Sequence, residues 1–340
     1  MHKSDSGRRE GGASQRDNRR IIHLALPARH TANRAGQFGD DSFKQVPEWI
    51  KERHRCGSIV SNRTSLDRRA LRRAFGRLGA EYAAHAQVQS EIGRRMDARL
   101  DLVRVQPQVI LDAGAGPGEL AGRLASRFPE ARVLAVDCAW ELLDTLPRPG
   151  IWSRWMGRGR RVAVQPLCAD FECLPLADAS VELVVSNLAL NWTDDMGRAL
   201  RELHRILTPG GLLMFTCLGP DTLREWGRLK AAMLERLPDM HDVGDLLGQV
   251  GFGAPVMDQE HLVLTYSSVT PFLRDLRGWG AVDLTQARAR GMRGAALLRA
   301  RDVGEITLEV VYGHAWKPAP RMKPAEGTAV IKFERRPRPA

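Results

Sequence analysis

The sequence has no uninterrupted apolar run long enough to cross a membrane. A spanning helix needs about 20 predominantly apolar residues, whereas the apolar residues, 43% of this chain, are interrupted throughout by charged ones. Residues 1–12 are polar and basic, and no apolar segment of a secretory signal follows them. We therefore expect a cytoplasmic protein with no transmembrane segment and no export signal.

Cysteines are few, and their spacing excludes two kinds of cross-linked scaffold. The chain has 5 of them and no Cys-x-x-Cys pair. Disulfide frameworks use even numbers of cysteines, and zinc sites usually use such close pairs. We predict reduced thiols and no metal site.

Acidic residues are outnumbered, since 40 Asp and Glu face 51 Lys and Arg, a net charge of +11. A basic protein attracts nucleic acid, an anionic membrane or an acidic protein, and charge alone does not choose among them. Residues 1–60 hold 12 of the basic and 7 of the acidic residues without a sustained apolar period. Because such a segment cannot bury enough surface to offset its ordering entropy, we predict a disordered basic extension over 1–60. We also predict a flexible basic tail over 318–340.

The residues between these ends alternate between two hydrophobic periods. Leu71, Phe75, Leu78 and Tyr82 recur at helical spacing, and a second helical pattern continues to Leu100. From Val109 onward, short apolar runs typical of strands alternate with amphipathic stretches typical of helices. The predicted strands are 109–111, 132–136, 162–167, 181–186, 212–217, 261–266 and 305–312; the predicted helices among them are 119–128, 196–207, 242–251 and 269–279.

This alternation predicts a mostly parallel sheet with right-handed crossover connections. We predict one domain over 61–317. It consists of amino-terminal helices over 64–102, a core over 109–217, and a part over 218–317 that closes the sheet with an antiparallel hairpin.

The strongest local signal is a glycine-rich turn directly after the first of these strands. Gly114, Gly116 and Gly118 stand at alternate positions between that strand and a helix. Glycine lets the main chain turn tightly and lets a ligand approach it closely, although an ordinary strand-to-helix turn can carry the same residues. Asp137 ends the next strand, where a carboxylate can accept two hydrogen bonds from ribose hydroxyls.

Together with Asp112 before the glycines and Asp170 after the third strand, this pattern resembles class I S-adenosylmethionine-dependent methyltransferases. The resemblance spans residues 70–320. It implies a Rossmann-like α/β fold with a mostly parallel seven-stranded sheet, an antiparallel carboxyl-terminal hairpin and amino-terminal lid helices. It also implies S-adenosylmethionine as the cofactor, with Asp137 on its ribose and Asp170 on its adenine amino group. The implied cofactor-binding residues are Asp112, Gly114, Gly116, Gly118, Asp137, Cys138, Asp170, Phe171 and Asn187.

Five further blocks resemble one subgroup, the malonyl-acyl-carrier-protein O-methyltransferases of early biotin synthesis. The blocks are 74–77 with Tyr82, His85 and Gln89, then 186–192, 198–203, 218–223 and 240–244. This resemblance implies methyl transfer to the free carboxylate of a malonyl thioester on acyl-carrier protein, or on coenzyme A. We expect a monomer with no nucleic acid partner.

The chemistry of that reaction selects the candidate catalytic residues. A carboxylate with a reference pKa of about 4 is already ionised at neutral pH, so it needs alignment and exclusion of water but no general base. We predict that Arg201 holds it through two hydrogen bonds and that Tyr82 donates a third, with His85 and Trp192 in the substrate pocket. Each residue has a purely structural alternative: a solvated Arg201, a core Tyr82, a surface His85 and a packing Trp192.

Two other activities remain open from the sequence. A mitochondrial complex I assembly factor of similar fold, an arginine hydroxylase, shares the block that ends the fourth strand. The charge also suggests a methyltransferase acting on RNA or another small molecule. However, the fourth strand ends in Ser-Asn-Leu-Ala, over 186–189, and lacks the Asn/Asp-Pro-Pro-aromatic tetrad expected for methylation of base amino groups.

Residues 148–161 form the most unusual segment, with five arginines, two tryptophans and no acidic residue. An exposed basic and aromatic loop suits an acidic carrier protein, an anionic lipid surface or RNA, or has no partner at all. We predict that this loop attracts the acidic carrier protein.

Overall fold

A computed structural model describes residues 20–22, 68–79, 82–146, 164–226, 237–278 and 304–319. The predicted basic loop 148–161, nearly all of the predicted tail and most of the extension 1–60 lie outside the described residues. No described helix is long and apolar enough to cross a membrane.

The described strands form one sheet in which a single strand, β8, runs antiparallel to both of its neighbours. The order across the sheet is β1-β7-β8-β6-β5-β2-β3-β4. The strands are β1 (Arg20–Ile22), β2 (Val109–Ala113), β3 (Arg132–Asp137), β4 (Val164–Cys168), β5 (Val181–Asn187), β6 (Leu207–Leu218), β7 (Gly253–Tyr266) and β8 (Gly304–Trp316).

Helices cover both faces of this sheet. They are α1 (Arg68–Leu78), α2 (Tyr82–His85), α3 (Gln87–Arg99), α4 (Glu119–Arg127), α5 (Trp140–Leu143), α6 (Met196–Ile206), α7 (Met240–Val250) and α8 (Val269–Gly278). One apolar core lies under α3, α4 and α8, and a second lies under α6 and α7. Neighbouring residues of β2 therefore enter different cores, Ile110 the first and Leu111 the second. Burial on both faces explains why the parallel strands are continuous apolar runs.

The seven predicted strands are present, and the last three are longer than predicted. β7 begins at Gly253, although residues 253–259 are mostly exposed on the sheet surface and show little apolar alternation. They are strand because β8 pairs with them from Gly253 opposite Trp316 to Tyr266 opposite Gly304. Long-range pairing therefore extends a strand that the local pattern does not mark.

β1 is an additional eighth strand, and it lies within the segment predicted to be disordered. Its three residues pair in parallel with β7, from Arg20 opposite Leu262 to Ile22 opposite Leu264. The structure differs from the prediction at these residues because the outer edge of β7 offers unpaired backbone groups to any extended segment.

Candidate active site

The carboxyl ends of β2 to β6 meet at a cavity of about 430 Å³. The strand order reverses beside β2, with β3 and β4 on one side of it and β5 and β6 on the other. Open α/β sheets bind ligands in the crevice at such a reversal. The volume also falls in the range of small-molecule sites, about 300–1,000 Å³. We refer to this space as the large cavity.

A second, small cavity of about 60 Å³ adjoins the glycine-rich turn. Asp112 and Ser90 line only this small cavity. The residues that line both cavities are Tyr82, Gln89, Gly114, Gly116 and Asn187. The glycine-rich turn therefore separates one elongated space into two parts.

The three glycines of the turn have positive φ angles, but they pack against different residues. At Gly114 (φ 79°), an added Cβ would overlap the Cβ of Ala189, which also lines the large cavity. At Gly118 (φ 79°), it would overlap Leu146 instead, and Gly118 lines neither cavity. Gly118 therefore packs at the start of α4, and its contact with the cofactor stays a prediction.

Asp137 holds the turn in place from the end of β3. Its Oδ2 accepts a hydrogen bond from the N–H of Gly116 (3.0 Å), and its Oδ1 accepts one from the N–H of Ala139 (2.8 Å). A carboxylate has about four lone-pair sites, and Asp137 lines the large cavity, so it can accept from ribose hydroxyls there. Burial raises the pKa of this carboxyl above its usual range, and donors from a ligand would favour its ionised form.

Two buried acceptors near the small cavity have no hydrogen-bond partner among the described residues. They are Oδ2 of Asp112 and Oε1 of Gln89, and both residues line the small cavity. Unpaired buried acceptors are costly unless a ligand supplies donors. The ammonium group of S-adenosylmethionine supplies three, so these residues fit the methionine end of the predicted cofactor.

Burial also raises the pKa of the Asp112 carboxyl to about 7, which predicts a pH dependence of cofactor binding. Burial favours the neutral acid, whereas a bound ammonium favours the carboxylate, so binding below pH 7 must release a proton. We expect the dissociation constant to rise by up to about tenfold per pH unit below about pH 7. Calorimetry from pH 5.5 to 7.5 measures this slope.

Asp112→Asn is the matched variant for this measurement. It keeps the shape of the side chain but cannot ionise, so it should bind more weakly at pH 7.5 and with a shallower pH slope. The same slope in this variant as in the parent protein would assign the effect to another group.

The large cavity also contains Asp170, predicted to contact adenine, and two further residues predicted to bind the cofactor. Asp170, Phe171 and Cys138 all line it. Oδ1 of Asp170 accepts from the N–H of Glu172 (2.9 Å), which fixes the orientation of the carboxylate. Desolvation, followed by the charge of Asp137, raises the pKa of Cys138 to about 12. Cys138 therefore lines the site as a neutral thiol.

Asn187, at the end of β5, ties the lid helices to the sheet. Its Nδ2 donates to the carbonyl of Gln89 on α3 (2.8 Å), and its Oδ1 accepts from Oγ1 of Thr216 on β6 (2.8 Å). The next residue, Leu188, has a φ of +56° and lines the large cavity. Thr216 stabilises this rare conformation, since both its Oγ1 and its carbonyl accept from the Leu188 N–H (2.9 and 3.1 Å).

The structure brings two of the four predicted catalytic and substrate residues to the large cavity. Tyr82 and Trp192 line it, with Phe75 between them at ring-centroid distances of 6.2 and 6.0 Å. His85 lines neither cavity and instead lies near Asp275 of α8. Arg201 also lines neither: its side chain is 60% exposed and faces Asp195, with 3.6 Å between Nη2 and Oδ2.

Several residues that line the large cavity were not predicted as site residues, and three of them are polar or aromatic side chains close to the predicted ones. Arg72 and Phe75 come from α1, and Asn191 follows β5. Asn191 accepts from the N–H of Leu218 (2.8 Å) and donates to its carbonyl (3.3 Å), which joins the ends of β5 and β6. Phe75 and Asn191 lie in sequence blocks that carry the family resemblance. In the sequence, that resemblance was the one feature that could have identified them as site residues.

A possible metal-binding group lies outside both cavities. Asp221, His261 and Glu309 offer ligand atoms within 4.8 Å of one another, and the Nε2 of His261 is 3.7 Å from Oδ2 of Asp221. These residues come from three distant parts of the chain, so no sequence spacing marks them. They line neither cavity, and the site described above does not use them.

Comparisons with known proteins agree with this site. A family model described as a methyltransferase domain matches residues 111–215. The malonyl-acyl-carrier-protein O-methyltransferase of Gallionella capsiferriformans is 44% identical over 287 residues, which cover 80% of this chain and 98% of that protein. The proteins of the same name from Methylovorus sp. and Laribacter hongkongensis are each 42% identical over 292 residues, covering 80% and 78% of this chain and 96% of each relative.

These matches confirm the predicted enzyme class, a methyltransferase that uses S-adenosylmethionine. Because the identity extends over almost the full length of the relatives, the chain belongs to the family of malonyl-acyl-carrier-protein O-methyltransferases.

Proposed function

We propose that this enzyme methylates the free carboxylate of a malonyl thioester on acyl-carrier protein, in early biotin synthesis, and that it acts as a cytoplasmic monomer. One observation carries the proposal: the chain covers 98% of a relative of that name at 44% identity. Nearly every part of that relative therefore has a counterpart here. The sequence alternatives, an arginine hydroxylase or an RNA methyltransferase, have no comparable support.

The reaction requires little acid–base catalysis by the protein. When bound, S-adenosylmethionine supplies an electrophilic methyl group. The acceptor carboxylate is already ionised at neutral pH, so the chain must align the reactants and exclude water, effects that can supply about 7–11 kcal/mol. The aromatic rings of Phe75, Tyr82 and Trp192 form the part of the cavity wall suited to this task.

Tyr82 fits the role of a hydrogen-bond donor to the substrate. Burial, with the charge of Asp137 as a second cause, raises its pKa well above the usual range. Its hydroxyl therefore stays protonated at neutral pH, and it can donate a hydrogen bond to a carboxylate without losing its proton.

Arg72 is better placed than Arg201 to attract the malonyl carboxylate. It lines the large cavity, and it forms no ion pair with any residue in the described part of the chain. Arg201 faces Asp195 on the outer side of α6. We propose Arg72 as the cation that draws the substrate carboxylate into the cavity.

Transfer of a labelled methyl group tests the function directly. With malonyl-acyl-carrier protein we expect a labelled, base-labile methyl ester. Acetyl-acyl-carrier protein is the matched control, since it differs by lacking the free carboxylate, and it should remain unlabelled. Equal labelling of both carriers, or base-stable label, would contradict the proposal.

A further inference from the structure

We propose that the outer face of α1, defined by Arg73 and Arg77, is the surface on which the acidic carrier protein docks. This inference rests on the proposed function, because that function supplies an acidic protein as the carrier of the substrate. α1 reads Arg-Arg-Ala-Leu-Arg-Arg-Ala-Phe-Gly-Arg-Leu and contains no acidic residue.

The inner side of α1 is already used by the enzyme itself. Arg72 and Phe75 line the large cavity. Gly76 faces α5, where an added Cβ would lie 3.0 Å from the carboxylate of Glu141. The helix is therefore a wall of the active site, and a partner bound to its outer side lies at the rim of the cavity.

The outer side presents two arginines that have no acidic partner among the described residues. Arg73 and Arg77 are exposed, and their spacing of four residues places them on the same side of the helix. The Nε of Arg77 donates to the backbone carbonyl of Arg73 (3.2 Å). Within the described residues, neither guanidinium forms an ion pair.

Several arginines on other described helices have acidic partners. Arg95 pairs with Glu91 on α3, Arg123 with Glu119 on α4, and Arg205 with Glu202 on α6. Those pairs neutralise the local charge, whereas no ion pair with a described residue neutralises Arg73 or Arg77. Unneutralised charge of one sign steers an oppositely charged partner and raises its association rate.

The double variant Arg73→Gln/Arg77→Gln tests this surface, because glutamine keeps a high helix propensity. Neither residue lines a cavity. We expect KM for malonyl-acyl-carrier protein to rise about five- to tenfold, with kcat unchanged within twofold. Activity on malonyl-coenzyme A should stay at the parental level, and activity on the carrier should become less sensitive to salt.

Arg104→Gln/Arg132→Gln is the matched control. Both residues are exposed. They lie before β2 and at the start of β3, at the amino ends of these strands, whereas the cavity lies at the carboxyl ends. This variant removes the same charge and should leave KM for the carrier unchanged. An equal rise in KM for both variants, or an equal loss on both substrates, would overturn the proposal.

Direct binding of carrier protein without the malonyl group separates docking from catalysis. The α1 variant should bind it at least about fivefold more weakly than the control variant, even if the enzyme methylates neither malonyl substrate. A failure to methylate either malonyl substrate would contradict the proposed function but not the docking surface. Unchanged carrier binding, with a loss of binding to RNA or to anionic phospholipid vesicles instead, would assign this face to a different partner.

Discussion

Gly114→Ala is expected to weaken S-adenosylmethionine binding by about 100-fold. Gly114 has a φ of 79°, and an added Cβ would overlap the Cβ of Ala189. Left-handed backbone at a residue other than glycine costs about 1–2 kcal/mol, and overpacking costs about 1–3 kcal/mol more. Because Gly114 borders both cavities, relieving the overlap displaces the turn that we predict contacts the cofactor. Calorimetric titration measures the affinity, and thermal unfolding measures the accompanying loss of stability.

Gly122→Ala is the control for this substitution. Gly122 lies inside α4, and an added Cβ there would meet no atom within 4 Å. Alanine is favoured over glycine inside helices by about 0.5–1 kcal/mol, so this variant should bind the cofactor normally and melt slightly higher. Normal cofactor affinity in Gly114→Ala would show that the turn does not have to approach the ligand closely.

Asp137→Ala is expected to weaken cofactor binding by about 100-fold or more. The carboxylate would receive the ribose hydroxyls, and hydrogen bonds to a charged group contribute about 1.5–3 kcal/mol each. It also accepts from the N–H groups of Gly116 and Ala139, so its removal leaves the glycine-rich turn unsupported. The dissociation constant for S-adenosylmethionine measures the combined loss.

Two further variants separate these contributions. Asp137→Asn retains one acceptor oxygen and should bind better than the alanine variant but worse than the parent. Asp258→Ala removes an exposed acid that pairs with Arg99 away from both cavities, and it should leave cofactor affinity unchanged. If the parent and Asp137→Ala had the same affinity, Asp137 would have no place in the site.

The sequence by itself determined the cofactor end of the site. Asp112, Asp137 and Asn187 each stand at or beside the end of a predicted parallel strand. The carboxyl ends of parallel strands meet at one edge of a sheet, so the order of strands and helices along the chain was enough to predict that these residues come together. Glycine's backbone freedom is equally local, so the turn that separates the two cavities was also readable from its three glycines.

Only the tertiary structure decided which side chains of the helices reach the cavity. Arg201 and Arg72 both lie in helices rich in arginine, and local sequence does not say which faces the ligand. α6 packs Leu200 and Leu203 into the core and leaves Arg201 outside the cavity. In contrast, α1 contributes the exposed Arg72 and the partly buried Phe75 to the cavity wall.

The same limit applies to contacts between distant segments. Gly118 packs against Leu146, and Asn187 bonds to the carbonyl of Gln89 across nearly one hundred residues (|i−j| = 98). β1 also joins the sheet more than two hundred residues from its partner β7 (Arg20 opposite Leu262). Periodicity and propensity describe neighbours along the chain, and these contacts depend on how whole elements pack, which no local pattern encodes.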